Sequence, residues 1–418
     1  MPGIVMSRNS VEVAVIGGGA AGVAAARKLA EHGVDCLIIE ARNRLGGRAY
    51  TVRQPTGYAL DMGCGWLHSA DCNPWVAIAT AQGRAFDKAI PPWGRMTMTD
   101  IVPAQTQRAF RQAMGQLFAR VSEAAMTGID RPVSDLLPPD GRWNGMLNAV
   151  MTYIAGAELD LMSTIDLDRY EDTEINWRLV DGYGAMIAAH AGDLPVAFDC
   201  PATRIDHSGK RIAVETPKGT IEADRVIVTL PTSIIAEHEE LFCPALPGKT
   251  QAARGLPLGF DDKLFIALDG AAEFETESRV FGRTDRAGTG NYHFRPFGRP
   301  MIECYLAGRL ARDLEAAGEP AFFDFASGEL TGLFGASFAK RLKPIGLHRW
   351  GSDPHARGAY SYAVPGAADQ RAALAAPVDE RLFFAGEACS RFDFSTAHGA
   401  FVTGVEAADR ILAARRKS

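Results

Sequence analysis

The stretch VEVAVIGGGAAG, from Val11 to Gly22, constrains this 418-residue chain more than any other. Val11 to Ile16 is a short apolar run of the kind that forms a strand buried on both faces. Ala20 to His32 then carries a helix, with Gly33 as its natural stop, and "CLIIE" closes a second strand at Glu40. This is one βαβ unit, and it implies a parallel sheet. Gly17, Gly19 and Gly22, with Ala21 in the same turn, fit the spacing G-x-G-x-x-G between strand and helix. The first glycine allows the tight turn, the second lets backbone approach a pyrophosphate, and the third lets helix and strand pack closely. The phosphates then meet free N–H groups and the positive end of the helix dipole. Glu40 is placed to accept hydrogen bonds from an adenosine ribose, and its charge opposes a 2′-phosphate. The alternative is a solvated strand end.

The next residues bear on which dinucleotide binds. "ARNRLGGR" begins with Ala41 and Arg42 and ends with Gly46, Gly47 and Arg48. The glycine pair lets backbone reach the pyrophosphate from its other side and Arg48 neutralises it, which a plain NAD domain does not need.

Further on the pattern changes. Phe110, Met114, Leu117, Phe118 and Val121 recur at helical spacing, and so do Trp143, Met146, Leu147, Val150, Met151 and Ile154. Two packed helices with these residues as core are the expectation, and no chemistry is assigned to them. Strand-like runs follow at "RIAVET", "RVIVTL", "KLFIAL", "YHFR" and "MIECYLA", and the end returns to strand then helix in "RLFFAGE" and "GAFVTGVEAADRILAARR". Residues 1–75, 180–256 and 376–418 are expected to form the cofactor domain, with 76–179 and 257–375 forming a substrate domain.

A formal charge of −6 argues against nucleic acid or an anionic membrane as partner and favours a small molecule. The seven cysteines form no C-x-x-C pair, so no metal site or disulfide framework is expected and a reducing, cytoplasmic setting fits. The start, "MPGIVMSRNS", has no leader pattern, and no apolar run reaches the ~18 residues of a membrane span.

"GGGAAG", "E-A-R-x-R-x-GGR", "DMGCGWLHS" from Asp61, "DKLFI" around Lys263, "W-x-x-DPHARGAYSYAVPG" from Trp350, "FFAGEACS" and "STAHGAFVTGVEAA" together resemble the flavin amine oxidase family. That family includes monoamine oxidases, polyamine oxidases, L-amino acid oxidases and histone lysine demethylases. The resemblance implies an α/β, Rossmann-type FAD-binding domain assembled from discontinuous segments, joined to a mixed α+β substrate domain, with the flavin ring between them. It also implies that Gly63, Cys64, Gly65 and Trp66 lie along the flavin and that Ala202 meets the adenine edge. Trp350 and Gly386 belong to the same site, Glu387 would bind the ribityl chain, and the helix starting at Thr396 and Ala397 would point at the ring's pyrimidine end. Reduced flavin is anionic there, and a helix N-terminus stabilises the charge.

By the same resemblance the reaction is oxidation of an amine C–N bond by hydride transfer to flavin N5, followed by imine hydrolysis and reoxidation by O2 or another acceptor. Lys263 matches the lysine that holds a water near N5, although a snorkelling strand end is the alternative. Tyr360 matches an aromatic wall on the substrate face, Tyr362 follows on the same side, and Thr396 stands where monoamine oxidases place a second tyrosine. His68 matches a histidine near the substrate of polyamine oxidases, with a structural role as the alternative; His398 is expected to be structural. Ala359 stands where monoamine oxidases carry their flavin-linking cysteine, so the FAD is expected to be non-covalent. Because the chain ends at "AARRKS" without an anchor, a soluble protein is expected. Arg178, Arg295 and Arg357 are candidates to clamp a substrate carboxylate. A small or polyamine-like amine is the expected substrate. The same fold acting on L-amino acids, or as a C–C desaturase or isomerase, is the alternative, and a chromatin module or a flavoprotein without turnover belongs to another class. The oligomeric state stays open, with a homodimer among its alternatives.

Overall fold

The computed structural model describes residues 9–416. Residues 1–8, which hold most of the stretch read for a leader, and 417–418, at the end of "AARRKS", lie outside the described residues. Among the described residues no helix is long and apolar enough to cross a membrane.

The βαβ unit is present. β1 (Ser10–Ile16) leads through α1 (Ala20–Glu31) to β2 (Cys36–Ile39), and the two strands pair in parallel, Val13 against Cys36 through Ile16 against Ile39. β1 is a nearly continuous apolar run because it lies in the middle of the sheet and is covered on both faces. The same sheet takes in β3 (Val196–Ala197), β4 (Arg204–Asp206), β5 (Ile212–Thr216), β6 (Gly219–Val228) and β7 (Phe242–Cys243), in the order β7-β4-β5-β6-β1-β2-β3. A further strand, Leu382–Phe384, pairs in parallel with β6, so distant segments close one sheet. "RIAVET" and "RVIVTL" belong to the antiparallel hairpin β5–β6, turned at Thr216 and Gly219.

A second sheet has five strands among the described residues. β8 (Asp261–Leu268), β9 (Ser278–Phe281), β10 (Asn291–Phe294), β11 (Met301–Ala307) and β12 (Leu342–Leu347) run antiparallel in the order β9-β10-β11-β8-β12. Leu264, Ile266, Val280, Tyr292, Phe294, Ile302, Cys304 and Leu306 fill one face and pack with Phe322, Ala326 and Leu330 of the helix Glu319–Phe334. The fold is thus α/β with a Rossmann-type unit and a mixed second unit.

The apolar stripes form α2 (Ala104–Ala125) and α3 (Asn144–Ala155). Two expectations for them need correction. α2 packs chiefly on the short helix Thr164–Arg169 rather than along α3. Only Leu117, Val121, Leu147 and Met151 enter the core cluster as buried residues, whereas Phe118 and Ile154 stay 38% and 42% exposed. An amphipathic stripe identifies an apolar face without saying whether protein or a cavity lies against it.

The last helix (Ala397–Arg415) packs on α1, and Gly404 makes that approach possible: a Cβ there would lie 2.3 Å from the Ala21 carbonyl oxygen. Because backbone rather than a flexible side chain is in the way, Gly404→Val is expected to cost about 3 kcal/mol. Urea unfolding followed by circular dichroism measures this, and an unaltered midpoint would show that the helices can separate freely.

Candidate active site

A cavity of about 1200 Å³ runs between the two sheets. Its first arm is lined by Gly17, Gly19, Ala21, Glu40, Ala41, Arg42, Gly46, Gly47 and Arg48, and by Ala202. Gly17 has φ +102°, and its N–H donates to the Ile39 carbonyl at 2.9 Å, which fixes the turn. Gly19 begins α1 without a side-chain cap, leaving first-turn N–H groups for a ligand. Gly22 does not line the cavity; a Cβ there would lie 1.9 Å from the Gly17 carbonyl oxygen, so its role is packing. Glu40 is buried, not a solvated strand end. Its carboxylate accepts from the N–H groups of Gly18 (2.6 Å) and Arg42 (2.8 Å).

In the middle of the cavity Gly63, Cys64, Gly65, Trp66, Trp350, Gly386 and Glu387 form the lining. Trp350 is fully buried and its Nε1 donates to the Met62 carbonyl at 3.0 Å. Arg48 donates to Glu387 at 2.9 Å and to the Ala359 carbonyl at 2.7 Å. Thr396 caps the last helix, accepting from the Gly399 N–H at 2.9 Å and donating to the Asp393 carbonyl at 2.6 Å. Both bonds are local, so its hydroxyl is committed to the cap, while Thr396 and Ala397 bring the helix start to the cavity.

The polar face of the second sheet forms the other wall. Lys263 stands opposite Tyr305, and His293 opposite Glu303, so period-two alternation puts all four on one face with Asp261. The Lys263 Nζ lies 3.1 Å from Glu303 and 3.2 Å from the Asp61 carbonyl oxygen. Burial opposes its charge, but Tyr305, Glu303 and Asp61 outweigh that and raise its pKa above the ordinary lysine value. Glu303 is lowered: burial works against ionisation, and Lys263, His293 and Arg178 prevail. Lys263 is therefore an ammonium with two acceptors in place and one of its three N–H bonds left for the cavity. Behind it His293 meets Glu277 at 2.6 Å. Tyr305 donates to Glu303 at 2.9 Å.

Tyr360 and Tyr362 both line the cavity, on a loop rather than a strand. The Tyr360 hydroxyl lies 2.8 Å from the Tyr153 carbonyl oxygen and 3.0 Å from Asp261. Burial raises Asp261 to about 7, against the lowering by Lys263 and Tyr360. His68 lines the cavity with Nδ1 2.6 Å from Asn176, and burial lowers its pKa. His398 is buried at the start of the last helix.

The three arginines considered as carboxylate clamps are engaged elsewhere. Arg178 is buried, pairs with Asp87 and Glu277 at 2.7 Å each, and lies over Trp66. Arg295 donates to the Phe274 carbonyl, and Arg357 pairs with Glu237. None of them lines the cavity. Conversely, Phe110, Met114, Phe118, Trp143, Met146, Val150 and Ile154, expected only as core, line it. The polar set Glu303, Tyr305, His293 and Asp261 was missed because "MIECYLA" and "YHFR" read simply as strands. Alternation within each run was the available signal, but the register between strands was not.

These features have counterparts in known proteins. Residues 115–412 match the family model for flavin containing amine oxidoreductases, and residues 15–79 match that for NAD(P)-binding Rossmann-like domains. The chain belongs to the flavin-containing amine oxidoreductase family. It is 30% identical to probable polyamine oxidase 4 of Arabidopsis thaliana, over 97% of this chain and 88% of that protein. Polyamine oxidase 4 of Oryza sativa subsp. japonica is 29% identical over 95% of this chain and 88% of its own length. The lysine-specific histone demethylase 1 homolog 3 of Oryza sativa subsp. indica is 27% identical over 96% of this chain, but only 54% of that protein is covered. The protein is accordingly a flavin-dependent amine oxidoreductase. The residues present suit FAD: the open glycine turn at α1 and the long cavity leading from it accommodate a dinucleotide.

Asp261 gives a test by pH. It keeps its proton up to about pH 7 in the folded chain. An unfolded aspartate loses its proton near ~3.9. The folded state binds more protons between those values, so wild-type stability relative to Asp261→Asn is expected to fall as pH rises through that window and to level off above it. Thermal melts of both proteins across the window provide the comparison; a constant difference would contradict the raised acidity.

Proposed function

We propose that this enzyme oxidises the C–N bond of a small or polyamine-like amine, held between Lys263 and Tyr360, with FAD bound non-covalently between the units built on the two sheets. The placement of the Lys263 ammonium on a cavity wall, on the strand whose Asp261 meets the Tyr360 hydroxyl at 3.0 Å, is the observation that carries this reading. The polyamine oxidases among the relatives support it. When bound, FAD supplies a hydride acceptor at N5 for the carbon next to the amine nitrogen, and the product imine hydrolyses in water.

The chain's own residues have five tasks. Gly19, Gly47 and the N-terminus of α1 hold the pyrophosphate, Glu40 the ribose, and Glu387 the ribityl chain. Thr396 fixes the start of the last helix, whose free N–H groups would serve the pyrimidine end of the ring. Trp66, Tyr360 and Tyr362 form an aromatic wall that excludes water, and such a wall favours the neutral amine required for hydride loss. Lys263, being charged, offers an N–H donor and a positive field rather than a base; we assign it the task of holding a water and assisting O2. Asp168, Asp172 and Glu174, exposed along one side of the cavity, would draw in an ammonium group.

Lys263→Met is expected to slow reoxidation by O2 by about 10²-fold, in line with the loss of one electrostatic contact in a dry site. Stopped-flow spectra of anaerobic reduction and aerobic reoxidation measure it, and the role is wrong if both rates match wild type. Since residue 359 is alanine, acid or heat denaturation is expected to release all the FAD into the supernatant; yellow precipitate would contradict non-covalent binding. Anaerobic bleaching of the flavin by amines, rather than by unsaturated hydrocarbons, separates this function from the desaturase reading.

A further inference from the structure

Arg279 has no part in the site as described so far. It sits on β9, where Ser278 and Val280 point into the core and Arg279 and Phe281 face the cavity. The other half-buried or buried arginines along the cavity are matched. Arg42 pairs with Asp353, Arg48 with Glu387, and Arg95 with Glu275. The guanidinium of Arg279 has no ion pair or hydrogen-bond acceptor among the described residues and lies over the face of Phe281, at 4.9 Å. Burial and the charge of Arg111 bring its pKa down to about 10, and no carboxylate opposes them. Arg111 also lines the cavity without a carboxylate partner among the described residues. A cation kept in a partly dry site without a counter-ion costs free energy, and an anionic ligand offsets that cost.

The sheet register fixes where this cation lies. Arg279 stands opposite His293, His293 opposite Glu303, and Lys263 is on the next strand. Three interstrand steps of ~4.8 Å separate the strands of Arg279 and Lys263, roughly 14 Å in all. On the two strands between them His293 and Glu303 share that face; Tyr153, whose carbonyl oxygen is 2.8 Å from the Tyr360 hydroxyl and whose ring is 6.0 Å from that of Phe281 on Arg279's own strand, lines the cavity alongside. The cavity thus runs from the amine end, past Tyr153 and Phe281, to an unmatched positive end.

We propose that the substrate is an amine whose far end carries a carboxylate, and that Arg279, with Arg111 beside it, binds that carboxylate while the amine is held at Lys263 and Tyr360. This rests on the amine-oxidising reading and narrows it: a tail ending in a second ammonium would meet Arg279 and Arg111 with like charge, and an anionic tail neutralises them. The carboxylate is remote from the reacting carbon, which distinguishes such a substrate from an α-amino acid.

The test compares three amines of equal length on the holoenzyme: hexylamine, hexamethylenediamine and ε-aminocaproate, together with the corresponding octyl series. Anaerobic flavin reduction by the carboxylate member is expected to be at least about tenfold more efficient than by either companion, the worth of one charge-assisted contact. Arg279→Gln should abolish that advantage and Arg279→Lys should retain part of it. Equal or better reduction by the diamines in wild type, or an advantage that survives in Arg279→Gln, overturns the proposal. Hexanoate and octanoate, titrated against tryptophan fluorescence from Trp93 and Trp143 in the cavity wall, give a readout without turnover. Weaker binding in Arg279→Gln supports the anion site, and equal binding in both proteins overturns it. Should none of the amines bleach the flavin, it is the amine-oxidising reading that has failed, and the carboxylate titration still decides the role of Arg279.

Discussion

Glu387 is the group on which the site's assembly depends. Buried at the end of the strand Leu382–Phe384, it accepts from Arg48 at 2.9 Å, from the Ser361 hydroxyl at 2.6 Å and from the Ser395 N–H at 2.9 Å. Arg371, which donates to Ser361 at 2.9 Å, in turn holds Asp166 through two bonds of 2.7 and 2.8 Å. One carboxylate therefore ties the glycine-arginine turn, the tyrosine loop and the start of the last helix, and a second ties the helix under α2. Burial raises the cost of ionising Glu387, yet Arg48, Ser361 and Arg371 hold its pKa below the ordinary value. Removing one partner would leave a charge in a dry place, which is why such networks act as a unit.

The second sheet shows how one element serves two purposes. Its apolar face closes a core, and its polar face carries Lys263, Glu303, Tyr305, His293 and Asp261 in register. The backbone ladders fix where these groups stand, and the contacts among them, Lys263 with Glu303, Tyr305 with Glu303 and His293 with Glu277, fix how their side chains point. The same ladders explain why Lys263 remains protonated: its counter-charge is delivered by the adjacent strand rather than by solvent.

Local geometry was legible in the sequence, and assembly was not. The turn at Gly17 and the acid at Glu40 depend on residues near one another in the chain, and spacing alone conveys them, whereas the start of the last helix at Thr396 came from the family resemblance. The residues opposite Lys263 depend on which strand lies beside it and in what register, which no single run encodes. The stripes on α2 and α3 were misread for a related reason: Phe118 and Ile154 show the same periodicity whether they face protein or a ligand. The arginines singled out for a substrate carboxylate turned out to have partners brought from far along the chain.

The strand order has a consequence for how far a substitution in this wall propagates. β8, with Lys263, lies inside the sheet between β11 and β12, whereas β9 is at its edge and pairs with β10 alone. An interior strand is locked by neighbours on both sides, so changes there disturb both adjoining ladders. A replacement at the edge alters one boundary of the chamber and leaves the remainder of the ladder intact. The fold thus puts Lys263 on the part of the wall held most firmly by backbone pairing and Arg279 on the part held least, so the two ends of one chamber differ in how widely a change is felt.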